Sequence, residues 1–178
     1  FKLRADEKSK SFLREKYMNI FEKERPIIGL SWQGGGKQDR MMDKSIDLDA
    51  LIKYLKPYDL NLLSIQYGDD EKLVSKISQK YGVRFIDDPE IQATKNMEKW
   101  LNQVDACDAV ISIANTTIHG AGGLRKPTIC LLGEKSDWRW LKDKNETTSY
   151  WYPTVEISWQ DKSAGGWQAA MENIPNWL

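Results

Sequence analysis

An α/β fold, with a parallel sheet of five or six strands and helices on both faces, is what this sequence predicts. Short β-rich apolar runs alternate with segments of helical periodicity along most of the chain, which is the rhythm of βαβ units. Those runs end repeatedly in glycine or small polar residues, as strands do where they feed a loop. The 178 residues, 40% of them hydrophobic, suffice to bury one core and hardly two.

The elements follow in order. Residues 5–24 are rich in Lys and Glu and carry Phe12, Leu13, Tyr17, Ile20 and Phe21 at near-helical spacing, so an amphipathic helix is predicted, closed by Pro26. With its linker this helix occupies 1–25 and leaves 26–178 as the sheet domain. Strand 27–32, helix 48–55, strand 60–66, helix 71–81 and strand 83–86 come next. A helix near 94–103, strand 108–113, a helix after Thr117, strand 128–132, a further strand at 155–159 and a last helix at 164–173 complete the series. Ligands of such sheets bind beyond the strand carboxyl ends, here residues 32–37, 66–68, 87–89, 114–119 and 133–134.

Charge and composition exclude several partners. Lys and Arg total 26 and so do Asp and Glu, so no positive excess draws the protein to nucleic acid or an anionic membrane. No apolar run approaches the roughly 20 residues that span a bilayer, and the opening FKLRADEKSK is charged where a signal peptide is greasy. A cytoplasmic location is expected. The chain opens at Phe1 without an initiator Met, as a fragment or trimmed piece would. Cys107 and Cys130 stand in no CxxC or metal-ligand spacing and read as reduced, buried thiols.

Residues 108–123, DAVISIANTTIHGAGG, are the most informative stretch. An apolar run ends abruptly in Asn115, Thr116 and Thr117, residue types that cap a helix start, so a strand is expected to run into a helix N-terminus. The first turn of a helix leaves N–H groups unpaired and carries about half a positive charge, which suits a phosphate or diphosphate. A capped helix whose Gly120, Gly122 and Gly123 allow close packing is the other reading, and both stay open. His119 is the chain's single histidine, so any acid–base or imidazole hydrogen-bonding role falls on it.

Other motifs are less specific. The loop SWQGGGKQDR gathers three glycines, Lys37 and Arg40, whose amides and cations could meet an anion, although a mobile turn has the same composition. Neither the P-loop GxxxxGK[ST] nor the dinucleotide fingerprint GxGxxG is present. Gln66, polar at the end of an apolar strand, either meets a ligand or caps the strand. Asp47-Leu48-Asp49 spells a DxD but precedes a predicted helix and is assigned to capping. Asn115 and Asn145 head glycosylation-type triplets that carry no weight without a secretory signal. Six of the eight tryptophans crowd the C-terminal part, most of them for packing; Trp138-Arg139-Trp140 is the exception singled out for binding, joining a cation to two aromatic surfaces.

In that order the stretches FKLRAD, IGLSWQGG, DRMMDKSIDLDAL, LLSIQYG, DAVISIANTTIHGAGGLRKPTICLL, SDWRWL and TSYWYP resemble the C-terminal glycosyltransferase region of bacterial tetratricopeptide-repeat proteins. Those are relatives of heptosyltransferases and O-linked N-acetylglucosamine transferases, and the similarity runs from about residue 1 to 160. The resemblance implies a Rossmann-like lobe of a GT-B enzyme, the C-terminal of two, holding a nucleoside diphosphate sugar without a metal or other cofactor. By that resemblance Thr116, Thr117, His119 and Gly120 cradle the donor diphosphate, and Arg40 stands where a cation assists the leaving phosphate. Lys37 adds charge, while Gln66 and the turn Trp32-Gln33-Gly34 edge the cleft.

Two departures from the family's pattern matter. Asn115 stands where the family usually has Asp, and this chain supplies one lobe, whereas the acceptor and often the base belong to the other. Tetratricopeptide repeats are absent. The function expected is donor binding for transfer of a hexosyl or heptosyl group to a protein or saccharide acceptor. A non-catalytic nucleotide-sugar-binding or protein-interaction module is the alternative. Self-association or a missing N-terminal lobe are both open.

Overall fold

The computed structural model describes residues 2–35, 44–68, 70–136, 138–140 and 145–178. Helix α1 (Glu7–Phe21) leads into β1 (Ile27–Ser31), α2 (Leu48–Leu55) with a 3₁₀ turn Lys56–Tyr58, β2 (Asn61–Ser64), α3 (Glu71–Tyr81) and β3 (Arg84–Ile86). The second half runs α4 (Met97–Ala106), β4 (Ala109–Ile113), α5 (Thr116–Gly123), β5 (Thr128–Leu132), a 3₁₀ turn Trp138–Trp140, β6 (Val155–Trp159), α6 (Trp167–Met171) and α7 (Ile174–Trp177). All six strands are parallel, in the order β3-β2-β1-β4-β5-β6. The predicted α/β architecture is therefore observed, with six strands among the described residues.

Side-chain alternation along the strands builds two cores. Ile28, Leu30, Leu62, Ile111, Ile129 and Leu131 face α2, α3, α6 and α7, joining Leu51, Ile52, Ile77 and Met171. Ile27, Leu63, Ile65 and Val110 face the opposite layer and meet Leu13, Tyr17 and Phe21 of α1 with Trp100 and Val104 of α4. A third cluster under β5 and β6 contains Ile118, Cys130, Leu132, Trp140 and Ile157. Each fully buried aliphatic or aromatic side chain contributes about 2 kcal/mol.

The helix limits follow their caps. Asp6, Asp47 and Asn96 each accept a bond from a first-turn N–H, so α4 begins at Met97, three residues after the predicted start; residues 93–95 form a turn, with the Asn96 N–H bonded to the Gln92 carbonyl at 3.0 Å. Helix α1 ends before Pro26 because Glu22 adopts a left-handed conformation. The predicted last helix, 164–173, is shorter than expected, α6 spanning only Trp167–Met171, and α7 lies beyond it, starting at Ile174 with Pro175 in its first turn, where the missing N–H costs nothing. Both thiols are buried and unpaired with one another, and burial pushes Cys107 up to about 12. Among the described residues no helix is long and apolar enough to cross a membrane.

Candidate functional site at the sheet's carboxyl edge

Strand order reverses at β1 and β4, which are neighbours though far apart in sequence, and the helices that follow them, α2 and α5, pack on opposite faces. A crevice opens there in doubly wound sheets. Three polar side chains fasten its floor. The Gln66 Oε1 accepts from Ser31 Oγ at 2.9 Å and from the N–H groups of Trp32 and Gln33, each at 3.0 Å. Its Nε2 donates to the carbonyls of Gln33 at 3.2 Å and Tyr67 at 3.3 Å. Asn115 Nδ2 donates to Ser31 Oγ at 2.7 Å and the Gln33 carbonyl at 3.2 Å, while its Oδ1 accepts the Thr117 N–H at 2.9 Å. The ends of β1, β2 and β4 and the start of α5 are thus one hydrogen-bonded unit.

Gln66 is buried and its amide fully engaged, so the strand-clamping role is the one the structure displays. Asn115 is the N-cap of α5, as its residue type suggests. Thr117 is buried with its N–H spent on that cap, so Thr116 is the threonine that reaches the crevice. Among the described residues the N–H groups of Thr116 and Ile118 have no acceptor. That is the electrostatic signature of a helix start open to an anion.

A cavity of about 550 Å³ lies against this turn, walled by Gly34, Lys44, Tyr67, Thr94, Thr116 and His119 among others. Thr116 and His119 are three residues apart and share one helix face. His119 Nδ1 lies 3.0 Å from the Tyr152 hydroxyl, and its ring stacks on buried Trp140 with centroids 6.0 Å apart at 22°. Burial raises the Tyr152 phenol above its usual range, as it does for Tyr67, where Asp70 adds to the effect.

The remaining candidates are dispersed. Gly120 does not border the cavity: a β-carbon there would stand 2.8 Å from the Trp100 ring, so this glycine serves close packing. Trp32 is buried edge-to-face on Phe85 at 6.1 Å and offers the site only its backbone; Gln33 likewise contributes backbone groups. Trp138 is 69% exposed, outside the cavity, with the Arg139 guanidinium 5.0 Å over its ring and Trp151 perpendicular to it. Lys37 and Arg40 lie outside the described residues. Asp47 caps α2 at 3.3 Å, and Asp49 bonds Lys80 at 2.6 Å and the Tyr81 hydroxyl, so the DxD spelling belongs to helix capping and an ion pair.

Sequence reasoning passed over Lys44, Tyr67 and Thr94. Tyr67 carried a signal, an aromatic between a strand end and Gly68; Lys44 and Thr94 sit in polar runs without one.

No family model matches the sequence, and no curated protein matches it. Solved structures do resemble the fold. A glycosyl transferase family 9 protein from Veillonella parvula superposes on 99% of this chain with TM-score 0.67 and 8% identity, using 52% of its own length. The E. coli ADP-heptose LPS heptosyltransferase II superposes on 99% with TM-score 0.66 and 16% identity, using 53% of its length. An E. coli heptosyltransferase solved with ADP covers 93% at TM-score 0.62 and 12% identity, with 48% of its length. The fold is that of one half of a GT-B glycosyltransferase. This chain spans about half the length of the structures it resembles. In this chain the cavity and the open turn of α5 stand at the carboxyl edge of the sheet, the ligand face of doubly wound folds.

Proposed function

We propose that this chain is the donor-binding lobe of a glycosyltransferase, holding the diphosphate of a nucleoside diphosphate sugar at the first turn of α5. The observation that carries the reading is the cavity of about 550 Å³ that meets Thr116, His119 and Lys44 at the switch point of the sheet, where the Thr116 N–H has no acceptor among the described residues. One structure of similar fold was solved with ADP, which supports a nucleotide as ligand.

The lobe's task is electrostatic. As the bond from the sugar to the diphosphate breaks, negative charge grows on the leaving oxygens, and donors fixed in advance stabilise it without reorganising. Thr116, His119 and the amides of α5 supply those donors, and Lys44, with Lys37 and Arg40 by family resemblance, supplies charge. The Gln66–Ser31–Asn115 unit holds the turn in place. Each such donor is worth about 3 kcal/mol of barrier when chemistry is measured. In binding, loss of a hydrogen bond to a charged group costs about 1.5–3 kcal/mol, or roughly 10- to 100-fold in affinity.

Calorimetric titration of the chain with ADP, UDP and GDP in EDTA tests this directly. One of them is expected to bind, and His119→Ala to weaken it by roughly 10- to 100-fold while the thermal melt stays near that of the native chain. Equal affinity in both proteins, or no nucleotide binding at all, overturns the donor-site reading. The exposed ring surfaces of Trp138, Tyr150 and Trp151 favour a second reading, an interaction surface for a protein or saccharide. Transfer or hydrolysis of a nucleotide sugar by the chain decides for the enzyme.

A further inference from the structure

His119 is gripped on the side away from the sheet's centre. Its ring stacks on Trp140, which is 4% exposed, and its Nδ1 meets the Tyr152 hydroxyl at 3.0 Å. Tyr152 itself cannot shift easily. Its ring lies on Gly122, where a β-carbon would come within 2.4 Å of Cγ. Its N–H donates to Ser149 Oγ at 3.3 Å, and its carbonyl accepts from Val155 at 3.0 Å. Three elements, α5, the Trp138–Trp140 turn and the segment before β6, therefore fix one imidazole at the cavity wall.

The geometry points to Tyr152 as a positioning residue that donates its hydroxyl proton to His119 Nδ1 and so holds the ring as the Nε2–H tautomer. A phenol and a neutral imidazole can pair in two ways: O–H donating to a bare Nδ1, or Nδ1–H donating to the phenolic oxygen. The first is favoured because a phenol is the stronger donor and an imidazole nitrogen the stronger acceptor. Burial acts in the same direction by keeping Tyr152 protonated. In that tautomer Nε2 is the ring's donor, whereas the other tautomer would carry a lone pair there. Tyr152 thereby acts on ligand binding through His119. For its ligand the inference rests on the donor-site reading above; its tautomer does not.

The chain's single histidine makes the test clean, since the tag-free protein has one imidazole to observe. Long-range ¹⁵N–¹H correlation on the native chain, at a pH where the ring signals have stopped moving, is expected to show a protonated Nε2 and a hydrogen-bonded, unprotonated Nδ1. In Tyr152→Phe, which keeps the ring on Gly122, the Nδ1 resonance is expected to move toward the unbonded position. A protonated Nδ1 in the native spectrum, or an Nδ1 signal indifferent to the substitution, overturns the inference. Affinity for the nucleoside diphosphate that binds best is expected to fall roughly three- to tenfold in Tyr152→Phe, the worth of one neutral hydrogen bond, and unchanged affinity overturns the positioning role. Should no nucleotide bind the native chain, the donor-site reading falls, while the spectrum still decides on Tyr152.

Discussion

At the scale of single residues, Asn115 explains itself by what it donates. The family this sequence resembles usually has Asp at that place, and Asp would serve equally as an N-cap and favour the helix dipole by about 0.3–1 kcal/mol. Here, however, the amide nitrogen bonds Ser31 Oγ and the Gln33 carbonyl, two partners no carboxylate could satisfy in the same way. A carboxylate would face the Gln33 carbonyl oxygen without a proton between them, and an unmet buried group costs about 1–3 kcal/mol. Asn115→Asp is therefore expected to destabilise the chain by about 1–2 kcal/mol net, read as a lower urea midpoint with unchanged slope. A midpoint at or above the native one would show that Asn115 is not holding β1 to α5.

At the scale of elements, the interior of the fold was more legible than its wiring. Helices at Leu48–Leu55 and Glu71–Tyr81 carry their own period and an end signal each, Asp47 before the first and Gly82 after the second, and the strand Thr128–Leu132 is a short apolar run, so the sequence places their limits correctly. The strand-to-helix junction at Asn115 is equally local. Strand order is not, because β1 meets β4 only through a crossover of about eighty residues, and nothing along the chain records that neighbour. The clamp by Gln66 and the cavity walls from Lys44, Tyr67 and Thr94 depend on that order, which is why polar residue types alone did not reveal them. The glycines of α5 illustrate the same limit: composition left anion contact and close packing open, and packing neighbours decide. Gly120 faces Trp100, whose Nε1 donates to the Ile65 carbonyl at 3.0 Å, so the indole cannot back away without losing a buried bond. Gly120→Ala is expected to cost about 1–3 kcal/mol through overpacking, despite alanine's better helix propensity. A melting temperature equal to or above the native one would mean that α5 can slide on α4.

At the scale of the whole molecule, the question is whether the N-terminal helix is an appendage of the sheet domain or part of it. Its contacts argue for integration. Leu13, Tyr17 and Phe21 share a core with β1, β2 and α4, and the Tyr17 hydroxyl donates to buried Asp88 at 2.8 Å while accepting from Gln103 at 3.2 Å. Leu3 packs over Gly123 and its N–H bonds the Gly123 carbonyl at 2.7 Å, which ties the start of the chain to the end of α5, the helix whose first turn faces the cavity. Removing one such layer would expose apolar area on both partners, so partial unfolding gains little over complete unfolding. Ligand energy delivered at α5 should then appear in the unfolding of every element. With a nucleoside diphosphate at about 100 times its dissociation constant the linkage is worth about 2.7 kcal/mol. For a chain of this size that corresponds to a rise in melting temperature of roughly 5–10 °C. Far-UV circular dichroism, which weighs α1 heavily, and tryptophan fluorescence, which reports α4 and the β5–β6 end, are expected to melt together and to rise by the same amount. Two separate transitions, or a fluorescence midpoint that climbs while the dichroism midpoint stays, would show instead that residues 1–25 fold apart from the sheet and that binding is felt by the sheet alone.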